Sequence, residues 1–262
     1  MKRIHLFEFE DFAWFPNSLR SGLTRLMVVM HKLLGSSADL VLLLNRALAY
    51  SESAAIVDLC SGSGGPMLDV YRTLKQQPGL ARLTLTLTDL YPNRTLAAAI
   101  ERQADSALLY DTHSINAADV APELRGVRTL VGSFHHMRPE VARRILQDAQ
   151  EKRQPICVYE ISDNSFPISL WWVALPLNFL MALFITPFAR PVTTKQLFFT
   201  YALPVIPLCF AWDGAVSNAR TYTLGDMATL LEGLQSDDYT WETGLISGKA
   251  RKLYLLGLPK AR

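Results

Sequence analysis

The chain has 262 residues, enough for one large domain with a full core or for a domain with an appendage. A net charge of +2 lacks the basic surface that phosphate tracking needs and argues against a nucleic-acid partner. Hydrophobic residues at 50% against 19% charged are greasy for a soluble enzyme, which brings membrane contact into consideration.

The N-terminal Met1-Lys2-Arg3-Ile4-His5 runs straight into Glu8, Glu10 and Asp11, so it does not read as a secretory signal. Phe7, Phe9, Phe12, Trp14 and Phe15 crowd the next stretch, and two apolar helical patterns follow at 18–34 and 39–50. Ile56-Val57-Asp58 then leads into Leu59-Cys60-Ser61-Gly62-Ser63-Gly64-Gly65-Pro66 and an apolar stretch with helical spacing from Met67 to Leu74. Strand, glycine loop and helix in this order let a ligand lie on bare backbone beside the unpaired N–H groups of a helix N-terminus, a nucleotide-type site. A dinucleotide fingerprint counted from Gly62 needs a third glycine where Met67 stands. An ordinary glycine turn is the plain alternative.

The stretch resembles motif I of the class I S-adenosylmethionine-dependent methyltransferases, in which an acidic residue ends the first strand and a GxGxG loop follows. Asp58, Gly62 and Gly64 match, and Cys60 stands where the first glycine is usual. The resemblance implies an α/β fold, a Rossmann-like doubly wound seven-stranded sheet with a terminal antiparallel hairpin. It also implies S-adenosylmethionine as cofactor, held at Asp58, Cys60, Gly62 and Gly64, and a helical lid over residues 1–50. Trp14 and Phe15 would then face the substrate; docking of the N-terminal arm on the core is the other use of these aromatics.

After a helix over 67–77, Leu83 to Asp89 alternates as a strand ending in a carboxylate, which can accept both ribose hydroxyls, with Leu90 beside it. Capping a helix over 92–102 is the alternative for Asp89. A strand over 107–111 leads to Asn116-Ala117, which resembles the family's adenine-holding pair, although Asn116 can equally cap a turn. A strand over 127–132 ends at Ser133, Phe134 and His135, which should line the crevice. Adjacent side chains on a strand end diverge, and no ligand-spaced set accompanies His135-His136, so no metal is expected. After a helix over 140–152, a strand over 154–162 carries Glu160 at its crevice end.

From Asn164 to Ala189 no charge occurs, and a second uncharged run covers Gln196 to Trp212. The first is long enough to cross a bilayer as a helix; the second contains Pro204 and Pro207. A spanning hairpin would export Arg190 and Lys195 and keep Asp163 and Asp213 inside, against the positive-inside tendency. A re-entrant or interfacial element, or a greasy substrate lid, is expected instead, with Trp171 and Trp172 as interface anchors. A helix over 224–234 and strands over 239–246 and 251–258, joined through Ser247-Gly248-Lys249, close the chain. The expected organisation is a lid at 1–50, a cofactor-binding domain at 51–163 and 213–262, and an apolar helical insertion at 164–212.

The expected function is methyl transfer from S-adenosylmethionine to a small lipophilic acceptor. Such transfer is an in-line displacement that mainly requires alignment. His135 and Glu160 are the catalytic candidates, with Glu8 and Asp11 as further bases, and Asp213 joins Trp14 and Phe15 at the substrate. Phe134 or Trp14 would face the sulfonium through cation–π attraction. Cys60, Cys157 and Cys209, far apart and without CxxC spacing, fit a reducing cytoplasm, and the greasy insertion fits the inner face of the cell membrane. Two rivals remain: a non-catalytic membrane adaptor on the same fold, and an NAD-dependent reductase, which Met67 disfavours.

Overall fold

The structure is a computed structural model and describes residues 3–12, 14–162, 164 and 171–260. Seven strands form one sheet in the order β3-β2-β1-β4-β5-β7-β6, built from β1 (Ala55–Asp58), β2 (Thr84–Asp89), β3 (Leu108–Ser114), β4 (Val127–Val131), β5 (Ile156–Glu160), β6 (Tyr239–Ile246) and β7 (Lys252–Pro259). β1 to β5 are parallel, and β7 enters antiparallel between β5 and β6. The chain order reverses between β1 and β4, the crevice where ligands bind in open α/β sheets.

Alternation along the strands supplies two faces. Ile56, Leu85, Leu87, Cys157, Tyr159, Leu256 and Leu258 point to one side, where α2 (Ser36–Leu48), α3 (Met67–Lys75) and α4 (Arg94–Glu101) cover them. Val57, Leu130, Ile156, Val158, Leu253 and Leu255 point to the other, under α5 (Pro139–Glu151) and α9 (Leu224–Leu231). The expected Rossmann-like, doubly wound sheet with a terminal antiparallel hairpin is what the chain forms.

A third core lies off the sheet. Phe15, and Leu19, Leu23, Leu26 and Val29 of α1 (Asn17–Leu34), pack on Ala182 and Ile185 of α6 (Trp171–Ile185) and on Ile206, Cys209 and Phe210 of α8 (Val205–Arg220). A short α7 (Thr194–Leu197), continued by a wider π-type turn over Phe198–Ala202, links α6 to α8.

Two expected boundaries change. Residues 1–50 are not one lid, because Leu40, Leu43, Leu44 and Ala47 of α2 belong to the sheet core and only the arm and α1 join the cap. The boundary at 213 falls inside α8, which carries the insertion directly into the polar segment. Among the described residues no single helix is long and apolar enough to cross a membrane; the apolar part of the first run is the helix Val173–Phe188, with Pro176 inside it. Asp163 and the side chains of Trp171 and Trp172 lie outside the described residues.

Candidate active site

The loop after β1 is held from below. Asp58 is buried, its Oδ1 accepting from Thr129 Oγ1 at 2.5 Å and its Oδ2 lying 2.6 Å from Ser61 Oγ. Burial pushes its carboxyl up to about 7. Asp58 therefore braces the loop from beneath. Cys60 has a left-handed φ of 58°, the conformation for which glycine is usual, and burial pushes its thiol up to about 12. Gly62 and Gly64 are left-handed too, at 52° and 81°. A Cβ on Gly62 would meet nothing within 4 Å, so open space lies over the loop, whereas one on Gly64 would press on Leu68 at 3.3 Å.

Asp89, at the end of β2, accepts from Gly62 N–H at 2.9 Å and from Tyr91 N–H at 2.8 Å. The helix cap considered for it belongs to Asn93, whose side chain accepts from Leu96 N–H. Asp89 is thus clamped to the glycine loop with lone pairs to spare. Leu90 is exposed beside it. Asn116 is exposed and forms an Asx turn, accepting from Ala118 N–H at 3.0 Å, while Ala117 is buried.

At the end of β4, Ser133 is buried with its Oγ lacking a hydrogen-bond partner. Phe134 is fully buried, its ring 5.3 Å from Tyr222, so it packs the second core and offers no face to a sulfonium. Sequence gave no sign of His31, the buried α1 residue whose ring borders Gly132 just before Ser133. Burial holds it down at about 4, so it is neutral near pH 7.

His135 and Glu160 form a buried pair. Nδ1 lies 2.7 Å from Glu160 Oε2, and Glu160 Oε1 accepts from His135 N–H at 3.1 Å. The carboxylate raises the imidazole pKa against the opposing effect of burial. The two histidines do not diverge. They lie on a 3-10 turn, Phe134–His136, and not on a strand end, and their rings are 4.3 Å apart.

The N-terminal arm closes over this turn. Arg220, 2% exposed, donates from Nε to Leu6 O at 2.6 Å, pairs through Nη2 with Asp11 at 2.5 Å and through Nη1 with Glu8 at 3.2 Å. Arg3 donates to His135 O at 2.6 Å, and Asp213 Oδ1 accepts from Phe9 N–H at 2.8 Å. Asp213, predicted at the substrate, therefore ties down the arm, and Phe15 is buried in the cap core. Trp14 is 68% exposed, stacked on Phe12. The signal for this assembly is the run Glu8, Glu10, Asp11 among aromatics, an unlikely place for three acids without cationic partners.

No protein-family model matches the sequence, and no curated protein matches it. Among solved structures, the plantazolicin methyltransferase BpumL in complex with SAH aligns over 93% of this chain and 98% of its own, with a TM-score of 0.51 and 8% identity. LepI in complex with SAM aligns over 83% of this chain and 46% of its own, with a TM-score of 0.48 and 13% identity. Magnesium protoporphyrin IX methyltransferase (ChlM) from Synechocystis PCC 6803 with bound SAM aligns over 87% and 79%, with a TM-score of 0.46 and 8% identity. The chain spans about half the length of LepI. With its strand order, reversed last strand and full-length alignment to BpumL, the chain has the Rossmann-like fold of the class I S-adenosylmethionine-dependent methyltransferases.

Proposed function

We propose that the chain transfers a methyl group from S-adenosylmethionine to a small lipophilic acceptor. The observation that carries this is the clamp between the Asp89 carboxylate and the Gly62 N–H at the ends of β2 and β1, beneath open space over the glycine loop. S-adenosylmethionine supplies a sulfonium methyl that is already activated, so the protein has to bind and align. Asp89 would accept the ribose hydroxyls, Gly62 and Gly64 would lend bare backbone, and Leu90 with Asn116-Ala117 would border the adenine. Ser133 Oγ, buried without a partner, suits a polar group of the ligand. The SAH in the structure of BpumL supports this choice of donor.

His135, oriented by Glu160, would mark the acceptor side and take a proton on Nε2, a buried atom without a hydrogen-bond partner. Lipophilicity is supported by an apolar groove of about 460 Å3 between the arm and α8, lined by Phe7, Phe9, Val205, Leu208, Cys209 and Trp212. Val173, Leu177, Leu180, Phe184 and Phe188 make an exposed stripe at helical spacing, with exposed Arg190 and Lys195 beyond its end. This pairing of apolar stripe and basic rim suits the anionic inner face of a cell membrane.

Calorimetry with S-adenosylmethionine, its demethylated product and NAD tests the donor. Selective binding of the first two is expected, with Asp89→Ala about tenfold or more weaker, as loss of a charge-assisted hydrogen bond implies. Selective NAD binding would install the reductase instead, and binding of none of the three would leave the adaptor.

A further inference from the structure

We propose that Glu8, His135 and His136 bind one divalent transition-metal ion, through the Glu8 carboxylate and the Nε2 atoms of both imidazoles. This site does not depend on the methyl-transfer reading.

Convergence is the first argument. His135 Nε2 lies 3.8 Å from Glu8 Oε1, His136 Nε2 lies 3.7 Å from Glu8 Oε2, and the three ligand atoms fall within 4.8 Å of one another. Zinc with nitrogen and oxygen ligands at about 2.0–2.2 Å keeps tetrahedral neighbours at roughly 3.3 Å, so a contraction of a few tenths of an ångström closes the pairs with Glu8.

Orientation is the second. A metal-bound histidine is usually fixed by a carboxylate on its other ring nitrogen. Here both are: Glu160 Oε2 stands 2.7 Å from His135 Nδ1, and Asp11 Oδ1 stands 3.2 Å from His136 Nδ1. Nδ1 of His135 donates to Glu160, Nδ1 of His136 is shared between Asp11 and Arg220, and Nε2 of each ring lies within 3.8 Å of the Glu8 carboxylate. His135 Nε2 is buried and has no hydrogen-bond partner.

Charge is the third. Three carboxylates, Glu8, Asp11 and Glu160, touch the two rings or each other's partners, against two guanidiniums at the cluster, Arg220 paired with Glu8 and Asp11 and Arg3 bonded to the His135 carbonyl. With neutral imidazoles the carboxylates exceed the guanidiniums, so the cluster favours an added cation. Arg220 Nη1 lies 3.2 Å from His136 Nδ1, and the guanidinium braces Glu8 and Asp11. Two histidines and one carboxylate form a donor set with open positions that suits zinc or ferrous iron.

The ligands come from two pieces of chain, the arm and the turn after β4. A bound ion would latch residues 3–12 to the sheet, and it would occupy the lone pair with which His135 could otherwise take a proton. Proton acceptance and metal binding by His135 are therefore alternative states.

The test uses the full chain, stripped with a chelator and titrated with Co2+ and then Zn2+. Expected are one cobalt per chain, visible bands of nitrogen and oxygen ligation, displacement by one equivalent of Zn2+, and slower hydrogen exchange over residues 3–12 with Zn2+. Glu8→Gln and His136→Gln should each weaken binding at least tenfold, with S-adenosylmethionine affinity measured in parallel, while the exposed control His113→Gln should not change metal affinity. The absence of saturable one-to-one binding, a thiolate charge-transfer band, or unchanged affinity in both variants would overturn the site. Should Glu8→Gln misfold, half-buried His136 provides the deciding variant, and the wild-type cobalt spectrum decides independently of either.

Discussion

At Cys60 the backbone holds a side chain in a left-handed conformation that costs roughly 1–2 kcal/mol relative to glycine. Cys60→Gly is expected to raise stability by about 1 kcal/mol in denaturant titration, and Cys60→Val to lower it, since a β-branched residue fits that region worst. Asp58 gives a pH dependence of definite sign. Its folded-state carboxyl lies near 7, raised by burial, against an ordinary value near 4 in the unfolded chain. Between these values the unfolded state has released the proton and the folded state keeps it, so this residue makes stability fall as pH rises through the window and adds no slope above it. Asp58→Asn, which cannot ionise, should flatten that part of the profile; denaturation midpoints from pH 4.5 to 7.5 that keep the same slope would refute the assignment. Both residues were legible as members of a motif, because a strand-loop-helix unit is local in sequence. What they do was not. Asp58 looked like a ligand group, and only its two hydroxyl partners, Ser61 and Thr129, show it to be a brace.

α8 shows what local pattern does not carry. Its apolar first half and its polar second half read as the end of one unit and the start of another, with Asp213-Gly214 as the join. In the helix, Asp213, Ser217 and Arg220 share one face at i, i+4 and i+7, and that face receives Phe9, Glu8, Leu6 and Asp11 of the arm. The partners are more than 200 residues away in sequence, so no window could pair them. Arg220→Met is expected to cost about 3–5 kcal/mol, because buried Glu8 loses the cation that compensates its charge and Asp11 loses its pairing partner. Hydrogen exchange should then quicken over residues 3–12 more than in the strands. Uniform exchange would show that the arm is held by its aromatic packing alone.

Across the whole molecule the sheet was readable from its alternating strands, while the cap was not, since its core is shared between α1 and helices about 150 to 190 residues later. The exposed stripe on α6 sits on the cap, opposite nothing else in the chain that is described. Leu177→Glu together with Phe184→Glu should abolish co-flotation with anionic vesicles by more than tenfold, at about 1.5–3 kcal/mol for each buried side chain, and should leave helicity and S-adenosylmethionine affinity intact. Equal flotation of variant and wild type would remove the membrane proposal. The tie between the arm and α8 also sets an order of events during synthesis. Residues 3–11 leave the ribosome some 200 residues before their partners Asp213, Ser217, Ala219 and Arg220 are made. The sheet strands β1 to β5 can pair on the nascent chain while Glu8 and Asp11 are still hydrated, so the arm, translated before the sheet, finds its place after it.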